Sequence, residues 1–83
     1  MFKIKKYRYV DRHTRNKFKI FARTEQFADE LAKRISKLGV FDLRRARIRF
    51  MQNCVTDIPP YEIEMEQLKS IEEWEKKEEA SKN

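Results

Sequence analysis

Four stretches of this chain switch between charged and apolar residues at nearly every step. They are Phe2-Lys3-Ile4-Lys5, Lys17-Phe18-Lys19-Ile20, Arg45-Ala46-Arg47-Ile48-Arg49-Phe50 and Tyr61-Glu62-Ile63-Glu64-Met65-Glu66. Successive side chains of a strand point to opposite faces, so each stretch reads as a sheet segment with one buried and one wetted face. A different period lies between the second and the third. Phe27, Leu31, Ile35 and Leu38 recur at helical spacing, flanked by Ala28 and Ala32, and form one apolar stripe. Thr24 is placed as its N-cap and Glu25 puts negative charge near its start. Gly39, the only glycine, stands where a left-handed C-cap is wanted. The expected helix runs from about Glu25 to Leu38.

Residues 2–22 read as a β-hairpin with a polar tip at Asp11-Arg12-His13-Thr14-Arg15-Asn16. Asn53 to Pro60 reads as a loop closed by Pro59-Pro60. Leu68, Ile71 and Trp74 then recur in threes, as in a short helix. A single helix from Tyr61 would leave Ile63 off the stripe of Tyr61, Met65 and Leu68, so a strand followed by a helix is preferred. The tail from Glu75 to Asn83 has no large apolar residue and is expected to fray. The expected fold is α+β: a β-β-α-β-β-α domain over residues 1–74 and a charged tail over 75–83. Its sheet is three- to four-stranded and mostly antiparallel, with the helices on one face. A right-handed crossover makes strands two and three parallel. With strand one between them, the strand order is 2-1-3-4.

Eighty-three residues bound the chain to one small domain. No run approaches the roughly 20 apolar residues of a membrane span, and cations interrupt Met1–Val10 where a secretory signal would be apolar. With one cysteine, no internal disulfide forms, and Cys54 and His13 do not make a structural zinc site by themselves. One glycine excludes a glycine-rich phosphate loop. A reduced, cytoplasmic setting is expected, with no metal and no small-molecule cofactor.

Charge is unevenly placed. Residues 1–55 hold sixteen Lys or Arg against five acids, a net of +11, and residues 56–83 hold four Lys against nine acids, a net of −5. A basic part of this kind suits a polyanionic partner. If helices cover one sheet face, the other offers Lys17, Lys19, Arg45, Arg47 and Arg49, with Arg12 and Arg15 on the hairpin tip. Strand one is a fork. Strict alternation with Phe2 and Ile4 buried would expose Tyr7 and Tyr9 and bury Lys6 and Arg8. A bulge near Lys5-Lys6 would do the reverse, and is preferred because burying unpaired cations costs several kcal/mol each. The expected function is a non-enzymatic module that docks on DNA or RNA through phosphates, guanidinium groups being suited to phosphate oxygens. The bland alternative pairs Glu62, Glu64 and Glu66 across strands with Arg45, Arg47 and Arg49 and quenches the face.

A second class of function is a protein–protein inhibitor or adaptor that blocks a host nuclease or a CRISPR-like immune nucleoprotein complex. It would use Glu62, Glu64, Glu66, Glu72, Glu73 and Trp74 against a basic groove. Trp74 otherwise anchors the second helix on the core, and the acidic run through Glu78-Glu79 is otherwise a solvated helix face. His13 with Asp11 suggests acid–base chemistry, as in a small metal-free ribonuclease, but no second base or nucleophile accompanies it. Cys54 reads as a small buried hydrophobe. The hairpin-then-helix order of the first half is similar to the DNA-binding arm domains of phage and transposon integrases. That likeness rests on pattern, since no diagnostic motif is present and the aromatic signature of RNA-recognition motifs is absent. Size, Lys/Glu richness and the lack of catalytic residues resemble the accessory and anti-defence proteins of bacteriophages.

Overall fold

The computed structural model describes residues 1–39 and 41–81, apart from the side chains of Ile48 and Arg49. Five elements follow in order: β1 (Phe2–Asp11), β2 (Lys17–Ala22), α1 (Glu25–Ser36), β3 (Ala46–Thr56) and α2 (Pro60–Ser81). The sheet order is β2-β1-β3, and β1 is antiparallel to both neighbours. β2 and β3 therefore run parallel with β1 between them, as the crossover requires. The fold is α+β with both helices on one face.

β3 has two segments. Arg8 faces Phe50 but Tyr9 faces Ile48, so Arg49 is an extra residue, a bulge in β3. With the two segments counted separately, the order is β-β-α-β-β-α, and the last strand lies at 50–56. The stretch Tyr61–Glu66 is helical and opens α2. Its alternation loses to the Pro59-Pro60 entry: the Glu62 and Ile63 backbone N–H groups both donate to the Pro59 carbonyl and start the helix. The expected tail is likewise helical as far as Ser81, with Glu75 bonded to Arg34 of α1.

α1 forms much as its sequence dictates. The Thr24 hydroxyl accepts from the Phe27 backbone N–H at 3.3 Å. The helix ends at Ser36, and Gly39 follows with φ +87°, the left-handed conformation in which glycine has no steric penalty. Ala28, Leu31 and Ala32 bury against Tyr7, Tyr9, Ile20 and Ala22 of the sheet, and Phe41 and Ile71 close the cluster. The Tyr9 ring stacks on Phe18 with centroids 5.2 Å apart, and its hydroxyl donates to Asp29 at 2.8 Å, tying α1 to the central strand. Burial, then that hydrogen bond, push the Tyr9 hydroxyl well above its ordinary pKa.

The fork in β1 resolves in favour of buried tyrosines, by a route other than the expected bulge. Tyr7 and Tyr9 are buried, and the register carries Lys6 and Arg8 to the opposite face with no shift at Lys5-Lys6. The register is unbroken through Lys5-Lys6 and sets Phe2 and Ile4 on the side of Lys6 and Arg8, where Ile4 is buried and Phe2 is half-exposed. The bulge sits instead in β3. It leaves Ala46 on the core side and turns Phe50 to the open face, where it is 40 % exposed.

Candidate functional site

Strand register assembles the open face. β1 contributes Lys6, Arg8 and Val10; β2 contributes Lys17, Lys19 and Phe21; β3 contributes Arg47, Phe50, Gln52 and Cys54. Phe50 sits beneath two cations, with Lys6 Nζ 5.4 Å and the Arg8 guanidinium 5.5 Å from its ring centroid. Lys17, Lys19 and Arg47 are exposed. None of the strand residues turned to this face is acidic.

The carboxylates lie elsewhere. Among the described residues the ion pairs are Arg23–Glu64, Arg34–Glu75, Arg44–Asp42 and Arg45–Asp42. None involves Lys6, Arg8, Lys17, Lys19 or Arg47. The alternative, in which Glu62, Glu64 and Glu66 pair across strands with the arginines, has no strand to use, because those residues are on α2. Glu64 is buried there. Its carboxylate accepts from the Arg23 backbone N–H at 2.9 Å and pairs with the Arg23 guanidinium at 2.8 Å.

The hairpin tip adjoins this face, held by a residue that sequence reasoning undervalued. Asp11 is fully buried. One carboxylate oxygen accepts the His13 and Thr14 backbone N–H groups at 2.9 and 3.3 Å, and the other accepts the Asp42 N–H at 2.6 Å. The Asp42 bond is the chief cause that holds this carboxyl below its ordinary pKa; burial opposes it, and the other two bonds reinforce it. The Arg12 N–H also donates to the Arg45 carbonyl. Asp11 thus clamps the tip to the turn before β3 and gathers Arg12, Arg15, Arg44 and Arg45 at one end of the sheet. It is a backbone clamp: the bond it makes to His13 is to the backbone N–H. The signal that could have found it is local: an Asp followed by polar residues at a hairpin tip readily caps the turn.

The sequence-predicted site residues separate into groups. Lys17, Lys19 and Arg47 share the open face, and Arg12 and Arg15 are exposed at the tip. Arg45 lies in the turn before β3, beside Asp42. The Arg49 side chain lies outside the described residues. Lys6, Arg8 and Phe50 belong with the first group. Of the second set, Glu64 is structural, while Glu62, Glu66, Glu72 and Glu73 are exposed. Trp74 is 52 % exposed and no core anchor. It lines an apolar groove of about 520 Å³ between β2, α1 and α2, with Ile71, Phe18, Phe41 and Leu31. Among the described residues no group of three or more His, Cys, Asp or Glu could hold a metal ion, and no helix is long and apolar enough to cross a membrane. No family model, curated protein or solved structure matches the chain.

Proposed function

We propose that this chain is a binding module, not an enzyme, that docks on the phosphate backbone of nucleic acid through the open sheet face and the hairpin tip. One observation carries the reading. Lys6, Arg8, Lys17, Lys19 and Arg47 share a face to which no described strand residue contributes a carboxylate, while the chain holds fourteen acids. An array of unneutralised cations gains most from a dense polyanion, since each phosphate it neutralises releases a counterion. Arg8 and Phe50 together offer a flat surface for an unpaired base, worth roughly 1–3 kcal/mol per stacked base.

Fluorescence anisotropy with duplex DNA, single strands and RNA across a salt series tests the proposal. Binding should weaken linearly on a log–log plot, with a slope of about −0.9 per phosphate contacted on duplex DNA. Lys17→Ala, Lys19→Ala and Arg47→Ala together should make the slope shallower by about 3 and leave the melting curve in place. Binding that ignores salt, or no binding to any of the three ligands, refutes it. A second reading, a protein inhibitor acting through Glu72, Glu73 and Trp74, draws on the half-exposed tryptophan. Capture of one protein after nuclease treatment, lost on Trp74→Ala, would favour it.

A further inference from the structure

The hydrogen-bonding phase of the sheet can be followed from one side chain. The Gln67 amide accepts from the Phe21 backbone N–H at 2.8 Å and donates to the Phe21 carbonyl at 2.6 Å. The Phe21 backbone groups therefore point away from β1. Antiparallel pairing alternates, so Ile20 exchanges bonds with Tyr7, and Lys6 and Arg8 exchange bonds with Gln52 and Phe50. The N–H and C=O groups of Met51, Asn53 and Val55 then point outward, along an edge that has no neighbouring strand among the described residues. Neither helix lies across β3, and Met51 and Val55 are 55 % and 61 % exposed.

Residues 50–56, Phe-Met-Gln-Asn-Cys-Val-Thr, form the longest uncharged run in a chain that is 41 % charged, and they contain no Gly or Pro. A long, flat, uncharged edge is a template for another strand. We propose that β3 pairs antiparallel with β3 of a second copy of this chain about a two-fold axis at Asn53, giving a six-stranded sheet. A second copy fits because the run is complementary to itself. Met51 falls opposite the partner's Val55, Gln52 opposite the partner's Cys54, and Phe50 opposite the partner's Thr56. No charge meets a like charge, and both apolar edge residues are covered. Centring on Met51 instead would draw the Arg49 bulge into the ladder and break it. Continuing the sheet places the two cationic faces side by side. The pairing itself does not depend on what those faces bind.

Sedimentation equilibrium of the full chain without nucleic acid should report twice the 10.2 kDa chain mass at high concentration, falling reversibly on dilution. Met51→Lys with Val55→Lys should abolish the dimer while circular dichroism and melting stay those of a folded domain, because both side chains already face water. Asn53→Pro should do the same by removing one outward N–H. In a Cys54→Ser background, Met51→Cys with Val55→Cys should form a disulfide-linked dimer on mild oxidation. These two positions are about 13 Å apart along one strand, too far to bridge within a chain. A monomer at every concentration overturns the proposal, as does a dimer that survives both the lysine pair and Asn53→Pro. Cross-linking by Met51→Cys alone overturns the register.

Discussion

The two edges of the sheet are treated in opposite ways. The β2 edge is guarded three times: by the Gln67 amide bonded to Phe21, by Glu64 bonded to Arg23, and by α2 packed alongside. The β3 edge carries outward backbone groups, an uncharged run and two exposed apolar side chains. Natural sheets protect their edges with charge, bulges and cover. Here the bulge and the arginines guard only the first segment of β3, and 50–56 is bare. The difference teaches that an edge can be left open at a defined length. The Arg49 bulge ends the segment on one side and the turn after Thr56 on the other.

The largest effect should separate covered from bare apolar residues. Ile71→Ala should cost about 2–4 kcal/mol by chemical denaturation, since it opens a cavity in the core cluster, whereas Val55→Ala should change the stability of the monomer by less than about 0.5 kcal/mol. Comparable losses at the two positions would break the comparison. Next, Glu64→Ala should cost about 1–3 kcal/mol, a range set below that of a fully buried pair because Arg23 is 58 % exposed. Gln67→Ala should cost about 1–2 kcal/mol and unguard the β2 edge. Hydrogen exchange checks it directly: the Phe21 amide becomes fast in the variant, whereas the Asn53 amide is already fast in dilute wild-type protein and becomes protected as concentration rises.

Acid should act through two carboxylates away from the bare edge segment. Asp11 and Glu75 both hold depressed pKa values, Asp11 chiefly through the Asp42 N–H and Glu75 chiefly through its hydrogen bond to Arg34. Each stabilises the fold fully above its unfolded value, and the benefit is lost as pH falls through the depressed native one. Denaturant titrations should therefore show stability declining below about pH 4, and Asp11→Asn should flatten that decline. The smallest effect is at the hairpin tip. Arg15 adopts φ 64°, so Arg15→Gly should stabilise by about 0.5–1 kcal/mol, while weakening any binding in which that side chain takes part.

Much of the fold was legible because local periodicity and local chemistry agreed. The hairpin, the capped α1, the parallel relation of β2 and β3, and the placement of Lys17, Lys19 and Arg47 on one face all follow from alternation and spacing. Legibility failed where a longer-range contact outweighed the pattern. The Glu62-Ile63-Glu64-Met65 alternation reads as a strand, yet Glu64 and Gln67 lie one helical turn apart and together grip the end of β2. The burial of Asp11 was hidden because its three N–H donors come partly from a turn 31 residues away. The Arg45–Phe50 alternation puts Phe50 on the buried side, and the bulge that turns it outward leaves no mark in the pattern.

Residue order alone determined the strand and helix periods, the turn chemistry and the segregation of charge along the chain. These depend on each residue and its near neighbours. Tertiary structure decided which face of β1 is wetted, which side of β3 Phe50 occupies, which carboxylates are spent on backbone and which cations remain unpaired. Those outcomes depend on the register between strands and on where α2 lands, and register is set by the whole packed core.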